Sequence, residues 1–466
     1  MHYKIFLCVL LFPVSLSAQN GELSLTLEQS ASLMNKGSRT LQMADKAVDI
    51  ARSERQKMNA FWYPSLNASG AYVHLSNHIE VKEPLRQFTD PAKDFVHSIV
   101  PDDKFISSIL DNIGAHTLTF PLLERNLTTI DANVMWPLFT GGKRIFASRI
   151  GNRMVDLAKA GREEAGATLQ SELVETYYAL RLAQRVVDVR EQTFLGLQKH
   201  YRNAMKLEEN GMINKAERLF AQVTMDEARR ELESARKDLN VEDAISINPS
   251  SPLFMNHDLP DELYFKNLVS TGSYIVSKLR IQEAMADNQL KISKSAYIPT
   301  IALFGKQTLY AENLPKNLMP RTLVGVGFTW NIFDGLNREA NIRQTRLTKQ
   351  TLQLGREKAQ NELGVLVDKL YSEIQNAKDD VAALNTTIEM SRELVRIRKK
   401  SFQEGMATST DVIDAETMLS KVQIAFLLAY YKYDVALASL LSTCGMPESF
   451  WQYSRTGQTE NFIFGK

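Results

Sequence analysis

The chain repeats itself, and no other feature constrains its fold as strongly. Gly37-Ser38 recurs as Gly272-Ser273, and Tyr63-Pro64-Ser65-Leu66 recurs as Ile298-Pro299-Thr300-Ile301, both displaced by 235 residues. Further along, Trp136-Pro137-Leu138-Phe139 recurs as Trp330-Asn331-Ile332-Phe333, displaced by 194. Gly141, Arg144 and Gly211-Met212 match Gly335, Arg338 and Gly405-Met406 at that same displacement. The offsets differ by 41, so the first copy carries an extra block of that size between Pro64 and Trp136. Self-similarity over such distances marks a tandem duplication, in which each copy builds the same unit.

Each copy reads as helix, strand, strand and a long helical stretch. After Trp136 apolar residues recur every seventh place, at Leu173, Leu180, Val187, Phe194 and Tyr201; the second copy repeats them at Val367, Ile374, Val381, Ile388 and Val395. A seven-residue repeat predicts helices packed as coiled coils. A helix from residue 143 to 209 would run roughly 100 Å at 1.5 Å per residue, too long for a compact core. Gly211 and Gly405 are turn points, and amphipathic sequence resumes after each, which predicts antiparallel hairpins.

The strands alternate. Ile130, Ala132, Val134, Trp136 and Leu138 interleave with polar or small residues, as do Val324, Val326, Phe328, Trp330 and Ile332. An apolar face backed by a polar one suits a membrane barrel wall, and it suits a half-buried strand in a soluble sandwich equally well. Tyr63, Pro64, Trp136, Pro299 and Trp330 stand near strand ends, where membrane-interface markers belong. The segment 298–307 alternates poorly. Four strands cannot close a membrane barrel, for which about eight is the smallest natural number, and an open edge in lipid is forbidden. Membrane strands in this chain must therefore be shared between copies.

Lys4, the apolar run Ile5 to Val14 and the small residues Ser15, Ser17 and Ala18 have the order of a secretory signal peptide, residues 1–18. Cys8 lies inside that run and leaves Cys444 alone in the mature chain, so no intramolecular disulfide is expected. No other uninterrupted apolar stretch predicts a spanning helix, because Lys432 and Asp434 interrupt the most apolar late segment. With 55 Lys plus Arg against 54 Asp plus Glu, bulk electrostatic binding of nucleic acid is excluded.

These residues resemble the TolC-type outer-membrane factors, the exit ducts of efflux pumps and type I secretion systems of Gram-negative bacteria. The resemblance covers about Leu25 to Gly445 and rests on the duplication, the strand pairs, the exit Trp136-Pro137-Leu138-Phe139-Thr140-Gly141-Gly142-Lys143-Arg144, and the segment Phe402 to Ala415. It implies a mainly α chain with a membrane β region. Three copies would share a twelve-stranded outer-membrane barrel and continue it as a long periplasmic helical barrel. It also implies a periplasmic adaptor and an inner-membrane transporter as partners, with no cofactor. The adaptor would dock at the tips Gly211-Met212 and Gly405-Met406, although a plain helix end fits the same residues. Asp411 and Asp414 resemble gate carboxylates, with Glu217 as the first-copy counterpart; crowded in a ring, they would raise one another's pKa. Asp411 also fits a simple helix cap, with Thr410 beside it. Where some members carry a Tyr and an Arg that latch the closed tip, this chain has Phe402 and Ala407.

The resulting organisation is a signal peptide (1–18), repeat 1 (19–245), a linker (246–260), repeat 2 (261–445) and a tail (446–466). The tail is expected to pack outside the helices. The extra block, about 76–126, joins two strands and should emerge on the cell exterior. His74 and His78 have metal-compatible spacing in a strand-and-loop setting that does not favour a site. Gly325 and Gly327 lack the third glycine of a nucleotide loop, and no nucleophile or zinc-protease motif occurs. The competing class is a coiled-coil surface stalk or adhesin with a barrel anchor, which has no reason to carry two equivalent strand hairpins.

Overall fold

A computed structural model describes residues 23–77, 79–99, 104–123, 125–239, 247–313 and 320–460. The signal-peptide reading, His78, Phe462 and Phe464 fall outside them. In chain order the elements are β1 (Leu23–Leu25), α1 (Leu27–Gly37), α2 (Arg39–Ala60), β2 (Ser65–His74), β3 (Ile79–Pro84), α3 (Arg86–Ile99), α4 (Lys104–Gly114), β4 (Thr117–Leu123), β5 (Asn126–Phe139), α5 (Lys143–Glu209) and α6 (Lys215–Leu239). There follow β6 (Ile247–Pro249), β7 (Phe254–Met255), α7 (Glu262–Gly272), α8 (Tyr274–Lys294), β8 (Thr300–Glu312), β9 (Thr322–Thr329), α9 (Asn337–Gln403), α10 (Ser409–Thr443), α11 (Phe450–Thr456) and β10 (Gln458–Thr459). The starts of α1, α2 and β2 precede those of α7, α8 and β8 by the first sequence offset, and α5 and α6 precede α9 and α10 by the second. The caps keep step as well: Thr26 caps α1 through its side chain, and Asp261 caps α7. Both long helices have 67 residues.

The chain forms two compact units. One comprises the described parts of residues 51–155 and 284–349. Its four-stranded antiparallel sheet has the order β2-β5-β8-β9, and among the described residues β2 and β9 each pair on one side only. Leu66, Val134, Gly305 and Val324 line up in register across the four strands. All of them but Gly305 are exposed apolar side chains. The other face is polar: Asn133 donates to Ser69 at 3.0 Å, and Asp131 takes Thr308 at 2.7 Å and Lys306 at 2.9 Å. The poor alternation of β8 has a cause. The pairing slips past Leu309, and Phe304 turns onto the polar face to cover Gly325 and Gly327, where a Cβ on Gly325 would meet its ring at 2.8 Å. The inserted block folds as a ribbon, β3 with β4, bearing the helix pair α3–α4.

The other unit comprises the described parts of residues 1–50, 156–283 and 350–466. By length and composition α10 would suffice to cross a membrane. Leu427, Leu437, Leu440 and Leu441 are nevertheless fully buried in protein, which makes it a core helix. In the second copy the heptad line is inward: Val367, Ile374, Ile388 and Val395 are buried and Val381 is partly buried. In the first copy the equivalent residues are only half-buried, and the covered positions are Gln170, Val174 and Tyr177, then Thr193, Leu197, His200 and Ala204. The α5 face is rotated because it receives the tail and α10: Gln170 donates to the Pro447 carbonyl and His200 meets Ser409.

The linker and the tail are both built into the core. The linker is threaded through the core, with β6 parallel to β1 and Leu253, Phe254 and Met255 buried. The tail also enters the core instead of lying outside it. Phe450 is buried 5.5 Å from the Phe254 ring, β10 pairs with β7, and fully buried Glu460 binds Arg181 and Arg185 at 3.0 and 3.2 Å.

Candidate functional site at the hairpin tips

Both helical hairpins turn by the same backbone device. Met212 donates to the Leu207 carbonyl and Gly211 to Glu208, each at 2.8 Å; Met406 donates to Ser401 at 2.8 Å and Gly405 to Phe402 at 3.1 Å. This helix ending needs a left-handed residue, and Gly211 and Gly405 have φ of 73° and 75°. Nothing lies within 4 Å of either absent Cβ, so each glycine serves the turn and no close helix approach within the chain. Met212 and Met406 are exposed beside them.

The return into α10 is tightly specified. Thr408, not Thr410, is the cap: its hydroxyl accepts from the Asp411 N–H at 3.3 Å, and Asp411 Oδ2 accepts from the Thr408 N–H at 2.9 Å. Those bonds to Thr408, and then Arg398 3.4 Å away, hold the Asp411 carboxyl below its usual range. Within one chain the shift is thus opposite to that expected of a crowded ring. Asp414, one turn on, is exposed. Glu217 reaches across from α6 and accepts from the Ser409 N–H at 3.3 Å, joining the first hairpin to the start of the second return helix.

Beneath this joint lies a small core that the sequence reading did not assign. His200 Nε2 is 3.0 Å from Ser409 Oγ, and its ring stands 4.6 Å from that of Phe402. Phe402 is buried with Ala204, Ala221 and Val412, and Ala407 packs against the same group. The residue at the tyrosine position of the latch is therefore a packing residue. Burial first, then Lys399, pushes His200 down to about 4, so it is neutral near pH 7. Lys399 pairs with buried Glu416, and Gly196 leaves room for that carboxylate, which a Cβ would meet at 2.7 Å. Phe402 was findable as the next heptad step after Val395; His200, a lone polar residue, gave no such signal.

The strand-end markers are also paired. Trp136 Nε1 donates to the Trp62 carbonyl and Trp330 Nε1 to the Tyr297 carbonyl, both at 3.1 Å. Arg144 sits over the Trp62 ring at 4.5 Å and Arg338 over Tyr297 at 4.1 Å. Each Arg also binds carbonyls of the preceding strand exit, at Leu138 in the first case and at Asn331 and Ile332 in the second. The matching of Arg144 with Arg338 was visible in sequence, but their role was not. Tyr63 is exposed, and Pro64 and Pro299 immediately precede β2 and β8. His74 bonds the Asn126 side chain at 2.7 Å.

Residues 275–446, the greater part of the second copy, match the family model described as outer membrane efflux protein. Over those residues the chain is similar to that family. It is 22% identical over 293 residues to the outer membrane efflux protein BepC of Brucella suis, covering 58% of this chain and 62% of BepC. It is 24% identical over 239 residues to the alkaline protease secretion protein AprF of Pseudomonas aeruginosa, covering 50% and 49%. It thus spans between half and three fifths of the curated relatives it matches. The crystal structure of CusC superposes with a TM-score of 0.69 at 15% identity, over 90% of this chain and 92% of that one, which shows a shared fold.

Proposed function

We propose that three copies of this chain form an outer-membrane exit duct, which conducts substrates delivered by an inner-membrane transporter through a periplasmic adaptor. The observation that carries this reading is the open sheet. Its edge strands β2 and β9 are unpaired on their outer sides among the described residues, and one of its faces is apolar and exposed. Lipid tolerates such a sheet only when closed, and three copies give twelve strands. The two copies within the chain read as tandem repeats, each supplying one strand pair and one helical hairpin.

In this reading the tips are the gate and the docking surface. Met212 and Met406 present flexible apolar contacts to an adaptor, and Asp414, exposed beside a capped Asp411, lines the constriction. Glu217, Ser409 and His200 replace a tyrosine latch by joining the two hairpins within one chain. The test is single-channel conductance of detergent-extracted protein in a planar bilayer with a trivalent cation. A cation-preferring pore, blocked from one side and released from block by Asp411→Ala with Asp414→Ala, is expected. Conductance indifferent to that pair would remove the gate and keep the duct; an inserted assembly that never conducts would remove the duct.

A further inference from the structure

We infer that the inserted helix pair α3–α4 is an interaction surface for the same helix pair in the other copies, and that three such pairs close over the outer mouth of the duct. The inference rests on the shared barrel proposed above. The insert stands directly on the wall. The β2–β5 ladder continues beyond His74 with Leu75 donating to the Arg125 carbonyl at 2.7 Å, and the β3–β4 ribbon ends with Leu85 donating to His116 at 3.1 Å, one residue before α3. The helices are thus carried on a hydrogen-bonded stem rooted in edge strand β2.

Within the pair, buried Thr89 of α3 packs on buried Gly114 of α4, and half-buried Lys93 reaches exposed Asp111. A Cβ on Gly114 would meet Thr89 Oγ1 at 2.5 Å, and Lys93 binds Asp111 at 2.6 Å. These contacts run antiparallel. Apolar residues stand immediately before the contact positions on both helices: Phe88 before Thr89 on α3, and Ile113 before Gly114 on α4. The same rotational offset on two antiparallel helices brings both stripes to one side of the pair. That side is bare. Phe88, Phe95 and Phe105 are 65%, 66% and 74% exposed, and Ile99, Ile109 and Ile113 are exposed beside them. The three phenylalanines alone expose on the order of 400 Å² of apolar surface. A patch of that size matches the largest found on a typical monomer, and such patches are often functional.

Charge decides between the candidate covers. Residues 86–114 hold three basic side chains against five Asp, which does not suit a helix pair lying on an anionic lipid surface. A copy of the same face, held at the same height by its own barrel strand, meets it at high effective concentration with little further ordering. A closed three-fold ring lets each face meet its neighbours without open-ended assembly.

The test uses full-length protein assembled in the outer membrane, with single cysteines at Phe95→Cys and Ile99→Cys on the apolar face and at Asp94→Cys as the exposed control. Cys444 is buried and does not interfere. Oxidation is expected to join chains through Phe95→Cys or Ile99→Cys and not through Asp94→Cys. A membrane-impermeant maleimide should label Phe95→Cys at least tenfold more slowly than Asp94→Cys on intact cells. A three-chain assembly with no covalent dimers and equal labelling overturns the cap and leaves the duct standing. Quenching of a fluorophore at Phe95→Cys by brominated lipid would assign the face to lipid and overturn it too. An extracted mass other than three chains overturns the twelve-stranded barrel itself.

Discussion

Gly37 and Gly272 close equivalent helices, each followed by a capping serine, yet their surroundings differ. A Cβ at Gly37 would meet nothing within 4 Å, whereas one at Gly272 would lie 2.5 Å from the Cys444 carbonyl oxygen. Gly445, with φ of 76°, brings the same crossing together from the other side. Gly37→Ala should leave stability unchanged or raise it by up to about 1 kcal/mol. Gly272→Ala forces two backbones apart and should lower it by about 1–3 kcal/mol. Thermal unfolding in detergent would show the contrast, and equal midpoints for the two variants would refute it. His200 makes a second prediction at this scale. Its folded value of about 4 lies below the ordinary 6.5, so the unfolded chain takes up a proton first as pH falls. The neutral imidazole's contribution is fully present above about pH 6.5 and is lost progressively towards pH 4. At 1.36 kcal/mol per pH unit this amounts to roughly 3 kcal/mol. Amide protection around residues 196–204 and 402–413, taken relative to the intrinsic exchange rate at each pH, should fall between pH 7 and pH 4.5, and much less so in His200→Gln. That variant keeps Lys399 on α9, Glu217 on α6 and Glu416 on α10, so any response it retains belongs to them.

Strands β5 and β9 each give way to a long helix at an arginine clamp. Arg338 is buried, stacks on Tyr297 and binds two carbonyls of the strand exit; Arg144 makes the exposed version of the same contact. Arg338→Lys keeps the charge but loses the planar fork, and should lower stability by about 1–3 kcal/mol. Arg144→Lys, in more open surroundings, should lower it by less than about 1 kcal/mol. A denaturation midpoint unmoved by Arg338→Lys would show that the clamp holds nothing. These elements also show what the amino-acid order reveals and what it hides. Helix and strand starts were legible because their signals are local: a cap at Thr26 and Asp261, prolines just before β2 and β8, glycines at the two turns. The α5 register was not, because its buried face follows the tail and α10, whose contacts lie more than 200 residues away at Pro447 and Ser409. The buried tail was hidden for the same reason. Phe450 and Glu460 carry no periodic pattern, and only the partners Phe254, Arg181 and Arg185 explain their burial. At the tips Asp411 was legible as gate or cap; the cap is Thr408, with Asp411 as its reciprocal partner three residues on, and the His200–Phe402 core needed the third dimension.

A single chain leaves its sheet open at two edges, the apolar face of that sheet bare, and one heptad line of α5 half-covered. In the proposed duct, closure by further copies would pair both sheet edges and leave the apolar face to lipid. The two faces of the sheet then have unequal tolerance for charge, and that inequality is measurable. Val324 stands in the middle of β9 on the apolar face, in register with Gly305, Val134 and Leu66. An arginine there would meet lipid and cost about 2–4 kcal/mol per chain near the midplane. Ser69 is on the opposite face, bonded to Asn133 near the Asp131–Lys306 pair, where water would solvate an added charge. Val324→Arg should therefore sharply reduce the assembled oligomer recovered from outer membranes. Ser69→Arg should assemble normally and weaken the cation preference of the pore. Equal recovery of the two variants would mean that the apolar face does not meet lipid, and the sheet would then have to close against protein instead.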